Sequence, residues 1–589
     1  MYADDTAALC SGADIQTAKR RAQLAADSLV EWARSSKMVV AGPKTQVMVL
    51  SQWARDAVDL SIKVAGVTVK ARDTLNLLGV TLDRLLHFGQ HCKKLKQRTR
   101  PRLAHLRRLT GRDWGLEEKQ LRTVANGYVR GALEHAAEAW LPSTPPSHVE
   151  VLEREMRAAA RIITGCVAST PTHALMAEAG LAPVASRRTT LAARLLAKAR
   201  ALPEEDPLRR VADSTAAKRL TTVTGWREVG QVAWTEAGVE ARMEPILQPR
   251  TPPWLRPAPV TFDLEAGTRP PPGSPADRRR QEAALCLASL PQCATWVWTD
   301  GSAEEGFRDG GAGALIVWPD DSTEELRAPA GSLCSSYRAE MVALRTALRH
   351  LLEHPAHEDV PIVICTDSQA ALAALRSGPS EQRTQLNSEV WDALTLLTRE
   401  GARRLHLQWV PSHCGLEGNE RADVLAKEAS ALPQEEVPLD VRTVLRASAR
   451  AARAKIGRQR PSGWYRDLWG ERLPPPAADL DRHAAVEVHQ LRAGHWSGSA
   501  QYMHRIGRNP TVECPGCNDH GCRAGRCPVC REEADTPGHV LLRCPALMNL
   551  RFRLLGTIHP SHEEIRSADV VAALAAATRR LQSREASRQ

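Results

Sequence analysis

Asp300, Glu340, Asp367 and Asp423 each stand where an element ends or turns towards a cleft. Side chains alternate along a strand, so Thr295 to Asp300 puts Trp296, Trp298 and Asp300 on one face, with Asp300 at its end before Gly301-Ser302. Carboxylates gathered at one point repel each other and raise one another's pKa unless cations neutralise them. Hard oxygen donors suit Mg2+ or Mn2+. Two such ions about 3.5–4 Å apart activate a water and stabilise the leaving oxygen of a phosphodiester.

The elements that must bring these groups together are legible around them. A helix is predicted from Ser336 to His354, with an apolar stripe at Tyr337, Met341, Leu344, Leu348 and Leu351 and Glu340 at the edge of that stripe. The strand from Pro361 to Asp367 is almost wholly apolar (Ile362, Val363, Ile364, Cys365), as a central buried strand requires, and it too ends in a carboxylate. Asp423 opens a helix after Gly418-Asn419-Glu420. The order over 294–432 is strand, strand, strand, helix, strand, helix, helix, strand, helix. In open α/β sheets such carboxylates meet at the strand carboxyl ends, where ligands bind.

Thr299-Asp300-Gly301-Ser302, Tyr337-Arg338-Ala339-Glu340, Cys365-Thr366-Asp367-Ser368 and Trp409-Val410-Pro411-Ser412-His413, followed by Gly418-Asn419-Glu420-Arg421-Ala422-Asp423, resemble the type 1 ribonuclease H family over about 294–432. The resemblance implies a mixed sheet flanked by helices and cleavage of the RNA strand of RNA–DNA hybrids. It makes Asp300, Glu340, Asp367 and Asp423 ligands to two Mg2+ (or Mn2+) ions. It makes His413 a mobile-loop group for proton transfer or product release, and Ser302 and Asn419 substrate contacts. The stretch between the helices at 368–376 and 385–400 is short, so the basic handle of some members is missing. Grip on the substrate is then expected from the basic flanks.

Six of the fourteen cysteines fall between Cys514 and Cys544. Cys527-x2-Cys530-x8-His539-x4-Cys544 has the composition of a tetrahedral Zn2+ site. Cys514, Cys517, His520 and Cys522 offer a second, irregular set. The cluster and Gln490-Leu491-Arg492-Ala493-Gly494-His495 resemble the C-terminal Cys/His motif of LINE-type elements.

Tyr2-Ala3-Asp4-Asp5 resembles the metal-binding hairpin of reverse transcriptases. Lys44-Thr45 and Leu77-Leu78-Gly79-Val80-Thr81-Leu82-Asp83 resemble later palm motifs of non-LTR retrotransposon polymerases. From Arg84 to Arg112 there are ten Lys or Arg and no Asp or Glu, which suits a surface that follows a phosphate backbone. Asp4 and Asp5 lack a third carboxylate from an earlier strand, so no DNA synthesis is expected from this chain alone. The whole resembles the C-terminal part of a non-LTR retrotransposon polyprotein of the trypanosomatid ingi type.

Composition narrows the remaining classes. The 589 residues carry 79 Lys or Arg and 68 Asp or Glu, a net +11. Partitioned, 1–293 is +13, 294–432 is −9 and 433–589 is +7. An acidic catalytic block between two basic arms fits an enzyme acting on nucleic acid better than a plain polyanion binder. There is no run of about 18 apolar residues and no signal-peptide pattern, so the chain is expected to be intracellular, not secreted and without a membrane partner, with nuclear access. The expected division is a palm remnant at 1–89, a helical thumb-like region at 90–240, a Pro-rich linker at 241–293, the ribonuclease H domain at 294–432, a basic helical region at 433–510, the zinc motif at 511–550 and a tail at 551–589. The fold class is multidomain α/β, and the expected partners are RNA–DNA hybrid and other retroelement proteins. Two other readings stay open: a catalytically silent nucleic-acid-binding remnant, and a part of a reverse transcriptase whose N-terminal half is missing.

Overall fold

Apolar runs and alternating segments between 260 and 409 pair into one six-stranded sheet. The strands are β1 (Val260–Asp263), β2 (Thr295–Glu304), β3 (Arg308–Val317), β4 (Thr323–Leu333), β5 (Ile362–Thr366) and β6 (Leu405–Trp409). Their spatial order is β1-β6-β5-β2-β3-β4. β1, β6, β5 and β2 run parallel, and β3 is antiparallel to both β2 and β4. This computed structural model describes the chain outside residues 1–4, 58–59, 215–223, 248–251, 253–258, 267–274, 355–359, 400–403, 478, 507–524 and 588–589.

Six helices accompany the sheet: α1 (Ala276–Ala288), α2 (Ser336–Glu353), α3 (Gln369–Arg376), α4 (Gln385–Arg399), α5 (Glu417–Ser430) and α6 (Val441–Arg458). The element order expected for 294–432 is therefore observed. Every residue of β5 is buried, because layers cover both of its faces. On one side Ile364, Ile362, Val297, Ile316 and Leu407 pack with Leu344 and Leu348 of α2, Leu372 of α3 and Leu394 of α4. On the other, Val363 and Cys365 meet Ala283 of α1, Ala294 and Val410, flanked by Trp296 and Trp298. Full burial of each such aliphatic side chain contributes about 1.5–3 kcal/mol.

The stretch 241–293, expected as a linker, enters this sheet. β1 pairs in parallel with β6, Val260 opposite Leu405 and Asp263 opposite Gln408. Its prolines flank the strand instead of interrupting it, so Val260-Thr261-Phe262-Asp263 keeps its ladder donors. The unit that holds the sheet comprises residues 193–215 and 230–451.

The second unit comprises 1–192, 216–229 and 452–589. It is mostly helical, with two hairpins, Ser61–Val64 with Val67–Lys70 and Thr74–Leu77 with Val80–Asp83. The helix Gly89–Arg108 buries His91, Cys92, Leu95, Thr99, Leu103 and Leu106 and leaves Lys93, Arg98, Arg100, Arg107 and Arg108 exposed. The helix Pro146–Thr164 buries Val149, Leu152, Met156, Ala159 and Ile163, a helical spacing. Regions expected to be separate share one core here: Leu106, Trp140 and Met156 pack in the same cluster as Leu491, Trp496, Val540 and Leu574. At its centre the fully buried His489 bridges two fully buried carboxylates, with Nε2 2.9 Å from Glu118 and Nδ1 2.7 Å from Glu178. Burial alone would lower the imidazole pKa, but the two carboxylates outweigh it and raise it. Tyr465 donates to Glu178 (3.1 Å) and the Ala477 amide to Glu118 (2.9 Å). Among the described residues no helix is long and apolar enough to cross a membrane.

Candidate active site

Asp300 sits within β2, not at its end, because Gly301 to Ala303 go on pairing with β3. The strand can continue there because Gly301 has no side chain. A Cβ at Gly301 would lie 2.1 Å from the Glu340 amide nitrogen, so β2 and α2 meet backbone to backbone at the site. That approach sets Glu340 beside Asp300. Asp367 follows the last residue of β5, and its carbonyl accepts from the Trp409 indole at 3.0 Å. Ligand oxygens of Asp300, Glu340 and Asp367 all lie within 4.8 Å of one another.

Asp423 lies in the second turn of α5, which begins six residues earlier than an opening at Asp423 would require. α5 lies close on the sheet because Gly311 and Gly313 of β3 leave room. A Cβ at Gly313 would come 2.4 Å from the Ala422 carbonyl oxygen. Asp423 bonds Lys427 one turn on at 2.5 Å and gathers with His413 and Glu420 within 4.8 Å. The structure thus brings three of the four expected carboxylates into one cluster and sets the fourth alongside, near enough that its charge raises Asp300 and Asp367.

Burial dominates the acidity of the cluster. Asp300 is pushed up to about 7, by desolvation first and then by Asp367 and Asp423. Glu340 is raised well above the carboxylate range by desolvation, with Asp300 and Asp367 adding to it. Asp367 is raised by burial, against the lowering pull of His413 and a hydrogen bond from Asn419. Among the described residues, Glu340 Oε2 is buried without a hydrogen-bond partner. Crowded carboxylates of raised pKa, one with a buried unpartnered oxygen, are a donor set that divalent cations fit.

The remaining expected residues fall around this cluster. His413 is exposed on the loop after β6 with φ +47°, and Arg279 of α1 ties that loop by donating to the Ser412 carbonyl at 3.2 Å. Asn419 is 3% exposed and directs its amide at Asp367. Ser302 is half-buried on β2, paired with Gly311. Sequence reasoning passed over Lys427 and Gly301. The first is marked by its i+4 spacing from Asp423. The second carries no signal beyond being a glycine next to a candidate ligand.

In the helical unit, Cys527, Cys530, His539 and Cys544 also converge, their ligand atoms within 4.8 Å. Cys527, His539 and Cys544 are buried, and Cys530 Sγ lies 3.3 Å from His539 Nε2. The far nitrogen of the ring, Nδ1, faces Glu533 at 3.3 Å, and Arg543 holds that carboxylate at 3.0 Å. A carboxylate behind a ligating imidazole is the usual outer support of a zinc histidine. A hydrogen bond with Cys544, together with burial, pushes the Cys527 thiol up to about 12. Cys514, Cys517, His520 and Cys522 lie outside the described residues, as does Asp4, whereas Asp5 is exposed.

A family model described as RNase H matches residues 292–431. A ribonuclease HI from Synechocystis sp. is 30% identical over 154 residues, which are 24% of this chain and 91% of that protein. A retrovirus-related Pol polyprotein from the type-1 retrotransposable element R1 4 of Nasonia vitripennis is 30% identical over 127 residues, 21% of this chain. The match spans only 32% of that polyprotein. Among solved structures, ribonuclease H1 of the archaeon Halobacterium salinarum is 26% identical and covers 23% of this chain and 96% of its own, with a TM-score of 0.19. A clustered carboxylate site in a mixed six-stranded sheet, and a relative matched over nine-tenths of its length, place residues 292–431, and with them this chain, in the ribonuclease H family.

Proposed function

We propose that this chain hydrolyses the RNA strand of RNA–DNA hybrids, with Asp300, Glu340, Asp367 and Asp423 holding divalent cations, Mg2+ or Mn2+. The observation that carries the reading is the buried, mutually repelling cluster of Asp300, Glu340 and Asp367, with Glu340 Oε2 unpartnered. Divalent cations bound there would neutralise the cluster and would supply Lewis acidity for phosphodiester hydrolysis. The chain's own residues do the rest. Gly301 fixes the separation of Asp300 and Glu340, and Asn419 orients Asp367. Lys427 restrains Asp423. His413, exposed and close enough to pull Asp367 down, takes up or returns a proton as the P–O bond breaks and the leaving oxygen becomes a hydroxyl. The resemblance assigns Ser302, half-buried on β2, and Asn419 to contacts with the substrate. The names of the curated relatives support the same reaction.

A labelled hybrid incubated with Mg2+ tests this. Wild type is expected to cut the RNA strand and Asp367→Asn to lose at least about 100-fold, since a metal ligand is removed. Equal cutting by both, or by neither, refutes the reading.

The Pol polyprotein match supports a wider retrotransposon context, and the motifs quoted from the sequence make that context a non-LTR polyprotein of ingi type. In it residues 1–89 are a palm remnant with Asp4 and Asp5, 90–240 a thumb-like region, and Cys527, Cys530, His539 and Cys544 bind Zn2+. The donor set and the Glu533 support favour zinc. Cys527→Ser with Cys530→Ser is expected to release one zinc per chain on elemental analysis. Unchanged zinc content rules the site out.

A further inference from the structure

We propose that Arg442, Arg446 and Arg450 of α6 form a phosphate-binding row that grips the nucleic-acid backbone beside the carboxylate cluster. This rests on the hydrolase reading above for its substrate, an RNA–DNA hybrid. The domain of the cluster is acidic, a net −9 over 294–432, and lacks a basic handle between α3 and α4. A polyanion meeting it is repelled unless cations come from outside that range. α6 begins nine residues beyond it and is brought back to the site.

The packing places the row. The amide of Ser335, the N-cap of α2, donates to Thr443 Oγ1 (3.0 Å). Arg446 donates to Ser336 Oγ (3.5 Å) and to the Gly306 carbonyl at the β2–β3 turn (3.3 Å). Ser336 precedes Glu340 by one helical turn, about 6 Å along α2. Arg442 lies 4.4 Å over the Tyr337 ring, and Arg450 pairs with Glu305 and lies over Phe307. β5 stops beside Thr299, while β2 runs on from Asp300 to Glu304. The turn and the start of α2 therefore extend past the carboxylates on the side where ligands enter, and α6 borders them.

Arg442, Arg446 and Arg450 are all exposed, while Thr443, Val444, Ala447 and Ser448 are buried, so α6 turns its arginines outward. Spaced at i, i+4 and i+8, they span about 12 Å, the axial length of three to four phosphates on one strand at about 3.4 Å each. Arg308, also exposed, adds a cation on the turn. Each guanidinium has five N–H donors, so the contacts to Gly306, Ser336 and Glu305 leave others for phosphate oxygens.

The test uses the full chain. Binding of a fluorescent RNA–DNA hybrid to Asp367→Asn is measured against salt, with and without Arg442→Gln, Arg446→Gln and Arg450→Gln together. The slope of log Kobs against log[salt] is expected to become less negative by about 2.7. In the cleaving chain the same three changes are expected to raise KM about tenfold while kcat stays within about twofold. The corresponding triple Lys variant is expected to retain affinity and KM, because it keeps the charge and reports on a row that fails to fold as Gln. An unchanged slope and KM in the Gln variant, or a Lys variant as impaired as the Gln one, overturns the grip. Row-dependent binding without cleavage by wild type would sustain the grip and refute the hydrolase reading instead.

Discussion

Burial sets the acidity of the cluster before any partner does, and that has a measurable sign. Asp300 titrates near 7 in the folded chain against an ordinary 3.8. At about pH 3 and below the group is protonated folded and unfolded and contributes almost no difference. Between pH 4 and 7 the folded state holds a proton that the unfolded state has released, so stability falls as pH rises. In the metal-free protein, Asp300→Asn is therefore expected to leave Tm almost unchanged at about pH 3. At pH 8 it raises Tm by at least about 2 °C, the shift that about 1 kcal/mol produces in a domain of this size. Calorimetry in chelator checks this, and added Mg2+ should raise the wild-type Tm more than the variant's. The four acidic side chains were legible because the chemistry restricts residue type. Their unequal environments were not. Lys427 and His413 draw Asp423 aside, and that depends on how α5 and the loop after β6 come to rest on the sheet.

Glycine does positional work at the level of elements. Gly301 lets β2 touch α2, and Gly313 lets α5 lie on β3. Gly301→Ala forces backbone against backbone, with no flexible side chain to yield. It is expected to cost at least about 2 kcal/mol and to lower cleavage with the fold retained. Urea unfolding and the hybrid assay read the two effects. The order of strands and helices over 294–432 could be read from apolar periodicity, since β5 and α2 carry clear patterns. β1 could not: four residues among prolines resemble linker until an unpaired edge of β6 is there to receive them. Asp300 reads as a strand end for a similar reason. Gly301-Ser302 looks like a turn, but pairing with Gly311 and Ala312 keeps it extended.

At the scale of the whole molecule, composition separated a basic C-terminal region from the helices near the front, yet both supply one core. No local pattern announces this, because Leu106 and Leu491 each fit an amphipathic helix with any partner. Trp496, fully buried with its indole donating to Glu487 at 2.5 Å, is a test of that sharing. Trp496→Ala is expected to cost about 3–5 kcal/mol. It should speed hydrogen exchange in the helices Gly89–Arg108 and Pro146–Thr164 while β2 to β6 keep their protection. Exchange confined to the C-terminal residues would contradict it. The discontinuity of this unit also bears on synthesis. Residues up to 192 leave the ribosome early, but Leu574 and its neighbours emerge about 380 residues later, some 20–80 s at about 5–20 residues per second. During that interval the sheet unit can fold, while Leu106, Trp140 and Met156 wait for the C-terminal part of their core, Leu491, Trp496, Val540 and Leu574 among it. A nascent chain whose residue 451 has cleared the ribosome would hold a complete sheet unit and an exposed apolar face, a natural substrate for chaperones.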